Sequence, residues 1–322
     1  MIPIRDTIQS RNYPIVRNVL IGVNVLVYFW GLFQRSDLQR IFVLYGLVPV
    51  RYSDPDIAIH FSYLEQVFPF FSSMFLHGGF LHLLGNMWFL YIFGDNVEDR
   101  LGPFRFLVFY VLSGVAATLI HLVTNWHSQL PTIGASGAVA GVMGAYFLLY
   151  PTARVLTMIP LFFIPFFFEI PAFFFLGYWA LIQLLYGTLS HGMAAGVAWW
   201  AHVGGFVFGM IGVRLFQLVP ETGIRQKASR LTRRRTTPRL QRIQPTEGGE
   251  ELDVHGSIVL TPREARHGTR KRISVRYQRR TAVVTVPAGI EEGTRLRLRG
   301  MGRKSRMGQV GDLYLTIRIA TS

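Results

Sequence analysis

Apolar residues are concentrated in six runs within the first 218 positions of the chain. The runs cover residues 16–33, 74–94, 104–123, 136–150, 171–187 and 195–218. A helix needs roughly 20 apolar residues to cross the hydrocarbon core of a bilayer. The fourth run is shorter than that, so we expect its helix to begin inside the membrane. The pattern predicts an all-α polytopic membrane bundle of six transmembrane helices.

Two further apolar stretches do not fit a spanning helix. Residues 155–168 contain Pro160 and Pro165, and proline disfavours a long straight helix because it lacks a backbone donor. We predict that this stretch either dips into the membrane as a re-entrant segment or lies in its interface. The long segment 34–73 includes the apolar run Ile41–Val50, and it is also expected to lie partly in the interface.

Beyond residue 254 the pattern changes to an alternation of apolar and polar residues. The apolar side chains recur at every second position: Ile273 and Val275, Leu296 and Leu298, and Leu313, Leu315, Ile317 and Ile319. Such alternation, punctuated by Gly and Pro, is typical of short β-strands. The sequence therefore predicts a membrane domain at 1–219, a basic, Pro-containing linker at 220–253 and a small all-β module at 254–322.

Charge divides the chain at almost the same place. Residues 1–220 carry ten basic and nine acidic side chains, whereas residues 221–322 carry twenty-three basic and nine acidic ones. Basic residues favour the cytoplasmic side of a membrane protein. Arginines precede the first run and occur between the second and third and between the fourth and fifth, while 124–135 and 188–194 have none. The segment 34–73 also carries Arg35, Arg40 and Arg51, but it is long and is given less weight. Both termini, and with them the β module, are therefore predicted to be cytoplasmic.

Composition limits the location and the partners further. The chain has no cysteine, which excludes disulfides, thiolate metal sites and cysteine nucleophiles. No small-residue cleavage site follows the first run, so we interpret it as an uncleaved span of a multi-pass integral protein, placed in a bacterial cell membrane. The basic stretch 225–242 is expected to bind anionic lipids. Nucleic-acid binding is disfavoured because few aromatic residues interrupt the basic ones.

Polar side chains are costly in hydrocarbon, so those inside the runs are candidates for function. The second run holds His77, His82 and Asn86, the fourth begins at Ser136, and the sixth contains His202. These three runs cross the membrane in the same direction, and all of these residues except His77 are expected in its outer half. His77 lies near the interface, where a purely structural role is open.

Small residues predict which helices touch. Gly137 and Gly141 recur at helical spacing in the fourth run, and Gly205 and Gly209 do so in the sixth. Such faces let membrane helices approach closely, which would bring the serine within reach of the sixth-run histidine. An imidazole activates a serine hydroxyl by accepting its proton. No carboxylate lies well inside these runs, so we expect a Ser–His dyad without an acidic third member.

Three motifs together resemble the rhomboid family of intramembrane serine proteases. They are His77-Gly-Gly-Phe-Leu-His82-Leu-Leu-Gly-Asn86, Gly134-Ala135-Ser136-Gly137, and Ala201-His202 followed by Gly205. The resemblance implies Ser136 as nucleophile, His202 as general base, and His82 and Asn86 as oxyanion-hole side chains. It also implies that no metal or other cofactor is needed. The substrates it implies are single-span membrane proteins, cut at an active site open to the outer face.

The C-terminal module resembles a second family. Residues 286–300 and 311–315, together with Thr261-Pro-Arg-Glu-Ala265, are similar to the C-terminal peptide-binding domain of DnaJ-type chaperones. The resemblance implies a cytoplasmic module that binds a peptide or a protein. The alternative is a degenerate fold retained for stability or membrane contact.

Other functions of the membrane domain remain open. A non-catalytic adaptor or chaperone would bind transmembrane clients and use the β module. A transporter would have charged pairs or broken helices at mid-membrane, whereas the polar groups here gather near one face. The presence of both Ser136 and His202 favours the protease.

Overall fold

The computed structural model describes residues 1–8, 10–34, 36–161, 164–189, 197–218, 240–243, 252–275, 280–305 and 309–320. The chain forms two compact units, Met1–Arg233 and Arg234–Ser322, and each is described by itself. Most of the predicted linker 220–253 lies outside the described residues, as does most of the basic stretch 225–242.

Helices dominate the first unit. Its elements are, in chain order, β1 (Ile2–Asp6), α1 (Ile15–Phe33), α2 (Leu38–Tyr45), α3 (Val50–Ser53), α4 (Pro55–Ala58), α5 (Tyr63–Val67), α6 (Pro69–Ser72), a 3₁₀ turn (Ser73–Phe75), α7 (Phe80–Leu101), α8 (Pro103–Thr124), α9 (Ser136–Leu149), β2 (Arg154–Leu161), β3 (Ile164–Pro171), α10 (Ala172–Leu189) and α11 (Trp199–Leu218). The predicted loop 34–73 therefore consists largely of short helices.

Four helices match predicted runs and are long and apolar enough to cross a bilayer: α1, α8, α10 and α11. Their outward faces carry apolar side chains that are largely exposed, including Leu26 at 70%, Val123 at 71% and Leu218 at 78%. Exposed apolar surface of this extent is unusual for a helix in water. It fits a hydrocarbon environment, so the first unit is of the membrane type.

The second and fourth runs form helices that differ from simple spans. α7 begins at Phe80 rather than near residue 74, and it satisfies the criteria for a span only together with Tyr63–Phe75, from which it is bent by 79°. α9 has 14 residues, or roughly 21 Å at 1.5 Å per residue, against about 30 Å of hydrocarbon. Among the described residues there are four candidate spans, or five with the bent pair, and the count of six stays a prediction.

The first unit also contains a sheet, so the all-α prediction was wrong for this part. The strands β1, β2 and β3 pair in that order and antiparallel. The Pro-containing stretch 155–168 lies in the antiparallel pair β2–β3, in which Pro160 lies opposite Pro165. These prolines stand next to the last described pair, Leu161 and Ile164, so their missing backbone donors interrupt the ladder near its end. The strands satisfy the backbone groups that proline would leave unpaired in a helix.

Backbone and side-chain hydrogen bonds connect the N-terminal segment to the far end of α7. Glu98 accepts from the N–H groups of Val16 (3.0 Å) and Arg17 (2.8 Å) in the first turn of α1. Asp99 accepts from the N–H groups of Arg11 (2.9 Å) and Asn12 (3.0 Å). The free N–H groups at the start of a helix need such acceptors, and negative charge is favourable there.

The second unit is the small β module that the sequence predicts. Its elements are β4 (Leu240–Ile243), β5 (Val254–Leu260), α12 (Pro262–His267), β6 (Thr269–Val275), β7 (Arg280–Val286), β8 (Arg295–Leu298) and β9 (Leu313–Ile319). They form two three-stranded sheets, β4-β6-β7 and β5-β9-β8. The side chains of Ile258, Ile273, Leu313, Leu315 and Ile317 are fully buried in its core, which confirms the predicted alternation. Strand β4 belongs to the stretch that was predicted as linker.

Candidate active site

A cavity of about 1020 Å³ lies at the end of the bundle where α7, α9 and α11 begin, and we call it the site cavity. His82 and Asn86 of α7, Ser136 of α9 and His202 of α11 all line it. The structure thus brings together the four residues to which the sequence assigned chemistry. Sequence separation does not require this, because the residues come from three different helices.

Ser136 is the first residue of α9, and the residues around it explain its motif. Gly134 has φ +124°, a conformation that side-chain-bearing residues rarely adopt. Its N–H donates to the Ser73 carbonyl at 2.9 Å. A Cβ at this position would lie 2.6 Å from Nε2 of His82, so only glycine lets that ring approach the turn before the serine.

Direct backbone contact joins α9 to α11. A Cβ added to Gly205 would overlap the carbonyl oxygen of Gly137, and one added to Gly209 would overlap that of Gly141. On its other side Gly137 faces Ala117 of α8, where a Cβ would lie 2.5 Å from the alanine methyl. Small residues permit this approach of membrane helices. The predicted pairing of the two helices is confirmed, and Gly137 and Gly205 serve it without lining the site cavity.

His202 is held by α10 as well as by its own helix. Its Nδ1 lies 2.7 Å from Oε1 of Gln183. Its ring lies 5.8 Å from the Trp179 ring and 6.3 Å from the Trp199 ring, centroid to centroid. The sequence interpretation missed Gln183, although a lone amide in an apolar run is itself a signal for function.

Asn86 provides an unused donor. Its Nδ2 is buried and has no hydrogen-bond acceptor among the residues that the structure describes. This nitrogen lies 3.7 Å from the position that a Cβ of Gly134 would occupy, close to the turn that leads into Ser136. Buried polar groups in proteins are normally paired, so a donor left open beside a serine and a histidine is available to a ligand.

His77 lies behind the site cavity rather than in its lining. Its ring packs edge to face against His82 at 5.1 Å between centroids, and it is 5% exposed. This position fits the structural role that the sequence left open for His77.

A third histidine, which the sequence interpretation also missed, supports the wall of the site cavity. Nε2 of His121, on α8, lies 2.7 Å from the Thr132 hydroxyl, and its Nδ1 lies 3.2 Å from Nδ2 of Asn125. An amide nitrogen only donates, so Nδ1 accepts and the neutral ring carries its proton on Nε2. Thr132 also exchanges two backbone hydrogen bonds with Leu47. These bonds fix the segment between α8 and α9 that closes one side of the cavity.

Comparison with known families separates the two units in the same way. Residues 64–217 match the Rhomboid domain. This stretch, just under half of the chain, is similar to a rhomboid domain. Residues 254–322 match the DnaJ C terminal domain. Both resemblances drawn from the motifs are thereby confirmed, and the rhomboid domain with its apolar helices makes the chain an integral membrane protein.

Several curated relatives of the rhomboid domain are similar to this chain. Rhomboid protein 1, mitochondrial, of Saccharomyces cerevisiae is 33% identical over 147 residues, which are 44% of this chain and 38% of that protein. RHOMBOID-like protein 5 of Arabidopsis thaliana is 40% identical over 74 residues, 23% of this chain and 24% of that protein. Rhomboid-like protein 11, chloroplastic, of the same plant is 38% identical over 84 residues, 25% of this chain and 30% of that protein. The matches thus span well under half of these relatives.

Proposed function

We propose that the rhomboid domain is an intramembrane serine endopeptidase, with Ser136 as nucleophile and His202 as general base. The observation that carries the proposal is that Ser136, His202, His82 and Asn86 line one cavity although they come from three helices. A hydroxyl beside an imidazole is the minimal equipment for acyl transfer. The charged groups that a transporter would need are not part of the described cavity lining.

The reaction runs in two stages. His202 accepts the Ser136 proton while the serine oxygen attacks the peptide carbonyl carbon and forms a tetrahedral intermediate. The C–N bond then breaks, and the imidazolium returns the proton to the leaving amine, which leaves an ester on Ser136. A water molecule repeats the attack with His202 as base, releases the acid and restores the serine.

The negative charge on the tetrahedral intermediate requires donors that are already in position. Asn86 Nδ2 is buried and unpaired among the described residues, which suits this task without first breaking another bond. His82 lies four residues earlier on the same helix. The backbone N–H of Ser136, at the start of α9, is the third donor.

The substrates we assign are single-span membrane proteins, cut in or near the span. A peptide must leave its helix before a nucleophile reaches the carbonyl, and freed backbone groups are costly in lipid. We further propose six spans with both termini cytoplasmic and the site cavity open to the outer face, on the distribution of arginine between the loops. The bacterial cell membrane stays a prediction, because the relatives above are yeast and plant proteins with mitochondrial or chloroplast names among them.

We assign peptide or protein binding on the cytoplasmic side to the β module, in line with its match to the DnaJ C terminal domain. The proposed binding of anionic lipids by residues 225–242 rests on their charge alone. A non-catalytic adaptor or chaperone, with the same two domains, is the competing function.

The decisive experiment reconstitutes the full chain in liposomes with a single-span test substrate. Cleavage is expected for the wild type and should be abolished by Ser136→Ala. A fluorophosphonate probe should label the wild type and leave Ser136→Ala unlabelled.

The matched control is Ser128→Ala, which removes another hydroxyl from the lining of the site cavity. It should keep both labelling and cleavage. Cleavage that survives Ser136→Ala would disprove the mechanism. Substrate binding without cleavage or labelling would favour the adaptor.

A further inference from the structure

The contact between His202 and Gln183 has a defined direction. Gln183 is 6% exposed, and its Nε2 lies 3.3 Å from the Trp179 carbonyl oxygen, one helical turn earlier on α10. A carbonyl oxygen only accepts, so the amide nitrogen faces the backbone and Oε1 faces the histidine at 2.7 Å.

This direction selects one tautomer of the imidazole. An amide oxygen cannot donate, so Nδ1 of His202 must carry the proton that the hydrogen bond uses. In the neutral ring the lone pair then lies on Nε2. Because Nδ1 already donates to Gln183 of α10, Nε2 is the ring nitrogen available to a hydroxyl in the site cavity.

Two tryptophans restrict the ring further. Trp179 lies at 39° to the His202 ring and Trp199 at 89°, so the imidazole has aromatic neighbours from both α10 and α11. Rotation of the ring about χ2 would break the Gln183 bond and lose its present packing against these neighbours. Two features on separate helices therefore favour the same ring orientation.

From these contacts we propose that Gln183 is a positioning residue, which holds His202 as the Nδ1–H tautomer with Nε2 free to accept the Ser136 proton. The inference rests on the proposed protease function for its catalytic meaning. A neutral amide orients the ring as a carboxylate would, but it avoids the cost of a buried charge in a membrane domain. The expected dyad thus has a neutral third member on α10.

The tautomer is tested without catalysis by ¹⁵N NMR of histidine-labelled full chain in liposomes at neutral pH. The His202 signals are assigned from their loss in His202→Asn. The wild type should show protonated Nδ1, and Gln183→Leu should shift the ring toward the Nε2–H tautomer. A wild type with protonated Nε2, or an unchanged tautomer in Gln183→Leu, would overturn the proposal whatever the activity.

Kinetic measurements test whether the orientation of His202 by Gln183 contributes to catalysis. Gln183→Leu should lower kcat about 10- to 100-fold, the range that follows loss of a group orienting a metal-ligating histidine, while KM changes little. Gln183→Glu keeps an acceptor and should recover most of kcat. A carboxylate beside the ring favours the imidazolium, so this variant should also move the acidic limb of the kcat–pH profile to higher pH. His82 of α7 and His121 of α8 are the other titratable groups around His202, and they are unchanged in all of these variants.

The matched control is Thr188→Val on the same helix, whose hydroxyl donates to the carbonyls of Leu184 and Leu185 and does not contact His202. It should keep wild-type kcat. Equal losses in Gln183→Leu and Gln183→Glu, without a shift of the acidic limb, would reduce Gln183 to a packing residue. If the wild type cleaves nothing, the proposed function fails, and the NMR result still decides whether Gln183 selects the tautomer.

Discussion

At one end of α7, the carboxylates of Glu98 and Asp99 accept backbone hydrogen bonds from the first turn of α1 and from the segment that leads into it. His82 and Asn86, sixteen and twelve positions before Glu98 on the same helix and roughly 24 and 18 Å away, face the site cavity, and Asn86 Nδ2 has no acceptor among the described residues. We call these the carboxylate end and the cavity end. The same helix thus stabilises the fold with one end and leaves a donor open at the other.

The difference teaches where stability and function lie in this domain. A buried donor without a partner destabilises a protein by about 1–3 kcal/mol, so the open Asn86 nitrogen lowers stability unless a ligand uses it. The hydrogen bonds at the carboxylate end involve ionised groups and are each stronger than neutral ones. Substitutions at the cavity end should therefore reduce activity with little loss of stability. Substitutions at the carboxylate end should reduce stability and leave the activity of the folded molecules nearly unchanged.

The largest effect is expected from His202→Asn in the site cavity, across from the cavity end of α7. Asparagine cannot accept the serine proton, so cleavage should fall by about 10⁴-fold or more, while the thermal midpoint in detergent changes little. Initial rates with the reconstituted test substrate measure the loss. His127→Asn is the matched control, because His127 is exposed between α8 and α9, and it should keep the wild-type rate. A His202→Asn protein that cleaves within tenfold of wild type would contradict the assignment of the base.

The next effect is expected from Asn86→Ala. Loss of one oxyanion donor should lower kcat about 10²- to 10³-fold. Stability should stay equal or rise, because the buried donor without a described acceptor is gone. Asn86→Asp keeps the shape and removes the donors, so it should lose at least as much activity. A marked fall of the thermal midpoint in Asn86→Ala would show that Asn86 stabilises the fold and would remove the contrast between the two ends.

The four candidate catalytic residues of the site cavity could be predicted from the sequence because each of them stands out locally. A serine, two histidines and an asparagine are recognisable as candidates because they are polar residues within apolar runs. The glycines near Ser136 and His202 predict the helix contact that brings these two residues together. Gln183 was missed because a single amide in a run has no spacing that would link it to His202, 19 positions away.

Long-range pairing was beyond the local pattern. In the sequence, the β2–β3 pair is only an apolar stretch with two prolines. Its pairing with β1, near the N-terminus, explains why it forms a sheet. The late start of α7 has a local cause instead. Residues 76–79, before its first turn, are Leu, His, Gly and Gly, and the two glycines disfavour a helix there. The four long apolar helices needed no such information.

At the carboxylate end, Glu98→Gln should destabilise the domain. Glu98 is 3% exposed, and each of its oxygens accepts one backbone N–H of α1. The amide keeps one acceptor and turns an NH₂ group toward the other donor, at a cost of about 2 kcal/mol. Thermal unfolding in detergent measures this loss, and cleavage per folded molecule should stay near wild type. Glu169→Gln, at an exposed carboxylate of β3, is the control and should leave the midpoint unchanged.

The smallest effect concerns Asp6, the last residue of β1, which connects the sheet to the carboxylate end. Its Oδ2 accepts from the Tyr146 hydroxyl at 2.6 Å and from Asn96 Nδ2 at 2.7 Å. Burial raises the pKa of Asp6 from 3.8 to about 7, an effect that the Tyr146 hydrogen bond opposes and the nearby Asp95 increases. The folded state therefore holds a proton that the unfolded state has released between these two values.

The contribution of Asp6 to the free energy of unfolding is therefore at its full value below about pH 4, and it is lost as the pH rises toward 7. We expect the wild type to lose about 1–2 kcal/mol between pH 5 and 8 from this group, less than the full shift would give because Asp6 is partly exposed to solvent. Asp6→Asn keeps an acceptor for Tyr146 and removes the titration, so its thermal midpoint should vary less over that range. Equal pH dependence in both proteins would show that Asp6 is ionised in the folded state.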